Sequence, residues 1–457
     1  QMKIFNQSNR NLGIAICAVA LISVATSCNK FLDTKKQGEY TAENYPYPSG
    51  SGAYDQYLFG AYNDLRSYNV HVDGFIVATS IRSDDADKGS TPTDGGSDVI
   101  TMDNFPVLPT NGRCNALWTG YYALINKCNN TLDQIENNKS IVATEAVKLQ
   151  SQGEARFMRG YAYFMLVRLF GRVPLIDKVL GTEQSNVPQS TPAQIYTLIE
   201  SDLTFAAANL PLSWDKKFVG RATKGAANGI LAKVYLTQQK WAAAMSAANA
   251  VMTSGQYDLS TPYDKIFRED GENSKESVFE IQATASATVP TSNGIQYTSH
   301  QGVRGAGQWD LGWGWNTPST QLEAAYETGD PRRARTILYT STATTPGVTI
   351  YGETTPIGLP NPRYNNKVYT NPAIRAAVGN RFGYWMNVRI LRYADVLLMF
   401  AEAENELNGP TTAAYNAINM VRRRGFGKPI NTPDALVDIP AGLTKADFFK
   451  YIVRERA

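Results

Sequence analysis

The sequence predicts a mainly α-helical protein whose helices come in antiparallel pairs. Apolar residues recur every three or four positions over several segments, capping residues precede some of these stripes, and Gly or Pro ends them. The composition is that of a globular chain, since 43% of the 457 residues are hydrophobic and 19% are charged. This length fits one large unit or several domains.

The clearest helix start is Thr191-Pro192-Ala193-Gln194. Threonine caps the helix, proline suits its first position, and glutamine completes a capping box. The apolar stripe then runs from 195 to 206 and ends at Leu210-Pro211. An earlier helix is predicted over 115–135. The segment 154–170 is apolar nearly all round at its centre, so we expect it deep in the core.

Two segments predict helix pairs. In 222–254, two apolar stripes flank the polar turn Gln238-Gln239-Lys240, with small residues such as Ala232 and Ala244 at positions typical of a tetratricopeptide repeat. Residues 392–424 repeat this pattern more loosely around Gly409-Pro410. Several such pairs predict a helical scaffold whose surface docks a partner. The predicted scaffold covers about 50–70, 115–254 and 390–457.

The remaining segments, about 71–114 and 255–389, are predicted to be a loop-rich part. They are rich in Gly, Thr, Pro, Asn and Ser and show little periodicity. Loops of this length are usually functional or disordered. Because these segments also carry many Trp and Tyr residues, which disordered segments lack, we predict ordered loops that present aromatic rings to a ligand.

Charge and residue counts exclude several classes of site. With 44 basic and 41 acidic residues, the net charge of +3 is too small for a protein that binds nucleic acid through its phosphates. The two histidines, His71 and His300, offer little for metal or relay chemistry, and we interpret them as hydrogen-bonding residues. If 115–135 is one helix, Cys114 and Cys128 lie about 21 Å apart, so we expect no disulfide and no structural zinc.

The N-terminal residues predict a secretory signal. Lys3 and Arg10 precede the apolar run 12–24, and small residues lead to Cys28. The run is too short to cross a bilayer core, which takes about 20 residues. We expect cleavage before Cys28 and lipidation of its thiol, with an ordinary signal and a chance cysteine as the alternative. The chain therefore divides into a signal peptide, 1–27, and a mature unit, 28–457.

Seven segments, in one order, make the chain resemble the SusD/RagB family of Bacteroidetes outer-membrane lipoproteins. These segments are 28–33, 118–122, 153–160, 170–175, 220–227, 330–332 and 392–403. The resemblance implies a surface lipoprotein without enzymatic activity that binds oligo- or polysaccharide. It also implies a position as a lid on a TonB-dependent, SusC-like transporter, with the helices facing that transporter and the loop-rich part carrying the sugar.

The glycine-rich loop 305–316 is the strongest candidate for the sugar site. Trp309, Trp313 and Trp315 supply flat faces on which a sugar ring can stack. The polar residues expected to bond its hydroxyls are Arg304, Gln308, Asp310 and Asn316. The alternative is that some rings fill the core of the loop itself. Trp313 and Trp315 alternate around Gly314 and can share a face, and we expect at least one of the three rings to be buried.

The acidic segment 83–89 is the second candidate. Asp85, Asp87 and Gly89 resemble part of a calcium loop, but the glycine stands at the fifth position of the EF-hand order and not at the sixth. We therefore favour a solvated acidic loop over a structural calcium site and predict no other metal or cofactor. The similar region of the family borders its ligand, so Asp84 and Asp85 are expected to be weak sugar contacts.

Two other classes of protein remain open. A surface glycoside hydrolase would need two carboxylates facing one sugar, and a repeat scaffold would not need a tryptophan-rich glycine loop. A lid of this family that carries a peptide in place of a glycan also stays open. No sequence fingerprint of a serine hydrolase, zinc protease, P-loop or dinucleotide fold is present. If loop 305–316 is not the site, Asp84-Asp85 and Tyr384-Trp385 are the next candidates.

Two features near the C-terminus complete the expectations. Arg422-Arg423-Arg424 lies at a predicted helix end, where cations interact favourably with the helix dipole. Residues 445–457 begin another helix, and no Gly, Asn or Pro closes it. Members of the family continue from there, so the chain resembles a fragment that lacks its C-terminal end and is expected to expose part of its core.

Overall fold

The computed structural model describes residues 52–456, so the predicted signal peptide and Cys28 lie outside the described residues. Gly52–Ile141 and the residues from Glu145 onward form one compact unit. Its helices are α1 Asp55–Leu65, α2 Tyr68–His71, α3 Asp73–Ile76, α4 Gly96–Asp103, α5 Gly112–Asn137, α6 Glu145–Phe170, α7 Pro192–Asn209, α8 Lys224–Thr237, α9 Trp241–Met252, α10 Tyr297–Gln301, α11 Thr320–Ala325, α12 Pro331–Thr336, α13 Pro372–Val378, α14 Tyr393–Asn408, α15 Thr412–Gly425 and α16 Lys445–Arg456.

The long helices pack side by side in one continuous series, which confirms the mainly α-helical prediction. Each contacts the next in the order α1, α5, α6, α7, α8, α9 and α14, and α14 also packs against α15 and α16. The predicted capping box starts α7, where the Thr191 hydroxyl accepts from the Gln194 amide and the Gln194 side chain accepts from the Thr191 amide. At the centre of α6, nearly every residue from 154 to 167 is buried, as its apolar pattern predicts.

Both predicted helix pairs are present. Helices α8 and α9 are joined by the Gln238–Gln239–Lys240 turn, and buried Ala232 and Ala244 allow their close approach. Helices α14 and α15 are separated by Gly409 and Pro410. No helix within 52–456 is both long enough and apolar enough to cross a membrane.

Buried arginine–carboxylate pairs fasten neighbouring helices together. Arg159 on α6 holds Asp202 on α7 with two hydrogen bonds of 2.7 and 2.8 Å. Arg221, just before α8, binds both Asp55 on α1 and Glu154 on α6 at distances between 2.6 and 3.0 Å. Burial raises the pKa of Glu154 despite the opposing effect of Arg221. These contacts join α1, α6 and α8, which are far apart in the sequence.

The segment between α9 and α14 contains more regular secondary structure than the sequence predicts. It contains short strands as well as loops, because most of its β pairs join residues distant in sequence and leave no long local pattern. The strands of the chain are β1 Ala86–Gly89, β2 Val173–Pro174, β3 Gln189–Ser190, β4 Ser277–Ile281, β5 Trp315–Pro318, β6 Ile337–Tyr339, β7 Thr349–Ile350, β8 Glu353–Thr354, β9 Arg363–Asn365 and β10 Val388–Arg392. The antiparallel pairs are β1–β5, β2–β3, β4–β10, β6–β9 and β7–β8.

The pair β4–β10 closes the base of this segment, and Glu276 ties it to the helices. Its buried carboxylate accepts from Arg392 at 2.6 Å and from Arg424 on α15 at 3.0 Å. Its backbone carbonyl accepts from the Tyr393 amide at 2.8 Å. Glu276 therefore joins the start of β4, which follows the helices, to the end of β10, where the chain enters α14.

The arginines at the end of α15 are buried, which corrects the expectation that the helix dipole alone explains them. Their carboxylate partners are Glu327 and Glu455 for Arg422, Asp438 for Arg423, and Glu276 for Arg424. Three consecutive helical residues point in different directions, so each meets a different segment of the chain. Cys114 and Cys128 are free thiols on α5, as expected.

We predict that Arg221→Met lowers the free energy of unfolding by about 3–5 kcal/mol, because it leaves Asp55 and Glu154 buried without their cation. The control is Lys127→Met, which removes an exposed ion pair with Asp64 and should cost less than about 1 kcal/mol. Urea denaturation of both variants measures the difference. Equal costs for the two would contradict a structural role for the buried network.

Candidate ligand-binding surface

The two predicted ligand loops, 83–89 and 305–316, lie together in the structure. Strand β1 pairs with β5, so that Gly89 lies opposite Trp315. The Ser90 amide donates to the Gly314 carbonyl at 2.7 Å. Gly89 has a φ of +71°, and a Cβ there would come within 2.4 Å of the Gly314 oxygen, so only glycine fits. Two distant segments of the sequence therefore form one surface.

Trp313 is the tryptophan of loop 305–316 that this surface presents to solvent. Its side chain is 52% exposed, and the Arg304 guanidinium lies 5.5 Å from the centre of its ring. Arg304 in turn bonds the Asp94 carboxylate at 2.9 Å. A hydrogen bond from Ser90 lowers the pKa of Asp94, so this carboxylate is charged at neutral pH. An exposed indole with charged hydrogen-bonding groups at its edge suits a sugar.

Trp309 and Trp315 are buried, which corrects their assignment as stacking platforms. Each is only 7% exposed. Trp315 packs in the apolar cluster of Ile76, Val77, Ile81, Val99 and Met102, and Trp309 packs with Val303, Leu311, Leu338, Tyr364 and Tyr369. The prediction that at least one ring is buried is confirmed.

Trp313 and Trp315 do not share a face, and Gly314 explains why. Alternate residues share a face only where the backbone between them is extended. Gly314 has a φ of +72°, which turns the chain and leaves Trp313 outside β5 while Trp315 begins it. The turn places one indole in solvent and the other in the core.

The other predicted polar residues fall into two groups. Gln308, Asp84 and Asp85 are exposed, and Asp310 forms a partly exposed ion pair with Arg381. Asn316 is buried and donates to the Gln301 side chain at 2.6 Å, so we correct its role to a structural one. Asn316 and Asp85 also line a pocket of about 270 Å³, together with Ser83, Tyr297, Asn365 and Lys367.

Sequence reasoning missed Phe105 and its partner Arg82. Phe105 is an exposed ring with the Arg82 guanidinium 4.7 Å from its centre. Its φ of +73° is strained for a residue with a bulky side chain, and Ser90 and Asn316 share such positive values at 56° and 58°. Strain of this kind clusters at functional sites. An aromatic residue before a proline is a weak signal, so the sequence alone gave no means of finding it.

The alternative candidates contribute less to an exposed site. Trp385 is buried and donates to Glu269 at 3.2 Å, while Tyr384 is half-buried and stacks on Phe382. His71 is buried between the Leu65 carbonyl and the Tyr161 hydroxyl, and burial lowers its pKa to about 4.

The acidic segment 83–89 is divided between a turn and a strand. Asp85 belongs to a turn, and Asp87 lies in β1. Across residues 52–456, no three His, Cys, Asp or Glu side chains are grouped so that they could hold a metal ion.

Comparison with known proteins gives consistent relatives for both halves of the chain. A family model described as starch-binding and associating with the outer membrane matches residues 30–236, and the SusD family model matches residues 263–457. SusD-like protein P2 of Formosa agariphila is 28% identical over 416 residues, which cover 87% of this chain and 78% of that protein. The starch-binding protein SusD of Bacteroides thetaiotaomicron is 30% identical over 192 residues, 40% of this chain and 33% of that protein.

Solved structures share the fold. A laminarin-binding SusD-like protein is 25% identical with a TM-score of 0.72, and the match covers 88% of this chain and 87% of the other. A SusD homologue from Bacteroides thetaiotaomicron is 26% identical with a TM-score of 0.70, over 91% and 83% of the two chains. The fold described above is therefore that of the SusD-like proteins.

We predict that Trp315→Ala lowers the free energy of unfolding by about 3–5 kcal/mol, because it leaves a cavity among buried apolar side chains. Trp313→Ala removes an exposed ring and should change the free energy of unfolding by about 0.5 kcal/mol or less. Denaturant titration of the two variants checks this. A large loss of stability for Trp313→Ala would mean that this indole is also part of the core.

Proposed function

Since this chain belongs to the SusD/RagB family, we propose that it binds oligo- or polysaccharide at the cell surface and delivers it to a TonB-dependent, SusC-like transporter. The observation that carries the proposal is the exposed Trp313 ring with Arg304 and Asp94 at its edge. Sugars have apolar C–H faces and hydroxyl rims, and this arrangement offers a partner for each. The relatives named above as starch- and laminarin-binding support the same class of ligand.

The affinity of one such site is expected to be modest. Stacking removes apolar sugar surface from water, worth about 25 cal/mol per Å². Ordering a flexible saccharide opposes that gain. A dissociation constant on the order of micromolar to millimolar follows, equivalent to about 4–8 kcal/mol.

We also propose that binding occurs without chemistry. A glycosidase needs two carboxyl groups on either side of one sugar bond, and the acid of the pair needs a raised pKa. On this surface Asp94 is paired with Arg304 and its pKa is lowered, and Asp310 is paired with Arg381. These pairings favour a binding protein over a glycoside hydrolase. The relatives, too, are described by what they bind.

The proposed partner surface is the helical series. Helices packed side by side offer a broad lateral face, as repeat proteins do when they dock a partner. With lipid on Cys28 as the proposed anchor, the protein would lie at the outer membrane next to its transporter.

We predict that Trp313→Ala weakens glycan binding about 5- to 150-fold, equivalent to about 1–3 kcal/mol, through loss of the stacking surface. Isothermal titration against laminarin, starch and other polysaccharides provides the measurement, with a reducing-sugar assay on the same mixtures expected to show no release. Phe449→Ala, which removes an exposed ring from α16, is the control and should bind like the parent. Unchanged binding by Trp313→Ala would place the site elsewhere, with Asp84-Asp85 and Tyr384-Trp385 next.

We predict that Cys28→Ala moves the protein from the membrane to the soluble fraction, because the thiol that carries the lipid is gone. Since a single acyl chain holds a protein only weakly, firm anchoring implies more than one chain on this cysteine. Mild detergent extraction of the parent should also recover a β-barrel transporter with it. Membrane retention of Cys28→Ala would contradict the anchor, and repeated recovery of the parent alone would contradict the partner.

A further inference from the structure

Another exposed aromatic ring, that of Tyr68, lies next to a buried histidine that the proposed function does not use. Tyr68 is the first residue of α2 and is 45% exposed. Its hydroxyl lies 3.1 Å from Nε2 of His300 on α10. The two rings meet edge to face, with centres 5.3 Å apart and planes at 67°. The tyrosine is thus held by its hydroxyl while part of its surface is open to solvent.

The hydrogen bonds of His300 determine which side chain donates in its contact with Tyr68. Its side chain is buried, and Nδ1 lies 3.1 Å from the Gln296 carbonyl. A carbonyl only accepts, so the proton of the neutral imidazole is on Nδ1 and Nε2 is left as an acceptor. The Tyr68 hydroxyl therefore donates to Nε2. Because its proton is already donated to His300, the Tyr68 oxygen can only accept a hydrogen bond from a ligand.

The charged groups around His300 are compatible with a neutral ring. Asp73 Oδ1 lies 3.9 Å from Nε2, and Arg113 Nε forms an ion pair with Oδ2 of the same carboxylate at 2.6 Å. The charge of Asp73 is therefore already balanced by a cation. Burial lowers the pKa of His300. The charge of Asp73 raises it and that of Arg113 lowers it further, and the net effect is a lowered pKa, so the ring is neutral at physiological pH.

Tyr68 and Trp313 are held by adjacent residues of one short helix. The Trp313 amide donates to the Ser299 carbonyl at 2.8 Å, and Ser299 precedes His300 on α10. The backbone that carries Trp313 and the side chain that holds Tyr68 thus meet the same turn of helix. The two exposed rings come from segments far apart in sequence, and α10 contacts the backbone of one and the hydroxyl of the other.

We propose that Tyr68 is a second ring of the glycan-binding surface and that His300 is the positioning residue that orients it. This inference rests on the proposed function and narrows the ligand to a saccharide of more than one unit, long enough to contact both rings. Tyr68 supplies a stacking face and a hydrogen-bond acceptor for a sugar hydroxyl. His300 acts only through the Tyr68 hydroxyl.

A double-mutant cycle on the full chain tests both residues, with laminarin- and starch-derived oligosaccharides of increasing length as probes. Tyr68→Ala should weaken binding of the longer probes at least about 5-fold, the effect of losing a stacking ring. Tyr68→Phe and His300→Leu should each weaken binding of the longer probes by the same factor, which is smaller because both variants keep the Tyr68 ring or its replacement ring. The double variant should bind like either single one. Tyr351→Ala is the matched control, since that tyrosine is also 45% exposed, and it should keep the parent affinity.

A pH series provides a readout that a purely structural histidine would not move. Parent affinity should be constant from about pH 7 to 8 and fall as acid protonates His300 below the ordinary pKa of about 6.5. Tyr68→Phe should show no such fall. The Tyr68 variants keep the test usable if His300→Leu does not fold, because Tyr68 is at the surface.

The outcomes separate the inference from the proposed function. If the parent binds neither these probes nor the other polysaccharides of the titration proposed above, the proposed function fails and the inference fails with it. If the parent binds and Trp313→Ala weakens binding but Tyr68→Ala does not, the inference alone is overturned. A further loss of affinity from His300→Leu in the Tyr68→Phe background would likewise overturn the positioning role.

Discussion

The carboxylate of Glu276 is the interaction on which the arrangement of the molecule depends. It is buried between Arg392 and Arg424, and its backbone bonds the first residue of α14. Charge-assisted hydrogen bonds of this kind are strong, and removing either partner would leave a buried charge unbalanced. Because Glu276 precedes β4 and Arg392 ends β10, the pair of strands and the helices behind it keep a fixed relation. Every loop between those strands is built on that base.

The candidate ligand-binding surface is built on this base through two further constraints. Gly89 and Gly314 permit a backbone approach that brings β1 against β5, and α10 anchors the segments around it. The strained backbone at Ser90, Phe105 and Asn316 lies in the same region. Such conformations persist only where the surroundings hold them firmly. The exposed rings are therefore presented by a rigid support, even though they lie outside the main helices.

The sequence was informative where the signal is local. The capping box at Thr191 and the break at Gly409 lie within a few residues of the helices they delimit, and both helices begin or end as predicted. Residues 305–316 are unusual in their tryptophans and glycines, but the positive φ of Gly314 is what separates the exposed Trp313 from the buried Trp315. A Cβ at residue 314 would lie only 2.8 Å from the Arg304 Cβ and 3.1 Å from the Tyr364 ring, and no local pattern reveals these neighbours.

The buried ion pairs are likewise not predictable from local sequence patterns. Arg422, Arg423 and Arg424 have the pattern of solvated cations at a helix end, and their carboxylate partners belong to segments before and after α15. The same holds for Tyr68 and His300, which are 232 residues apart in the sequence. Pairing between distant residues is a property of the fold, so a single sequence contains no periodic trace of it.

The position of α14 beside α9 also bears on how the chain folds. Helices α5 to α9 each contact their neighbours in sequence, and such local contacts form quickly. Helix α14 can join them only when about 140 intervening residues have been drawn into a closed loop, at an entropic cost of about 4 kcal/mol. The strand pair and the ion pairs at the base of that loop exist only after this closure. We therefore expect the binding surface and the C-terminal helices to become ordered together, in a late and cooperative step of folding.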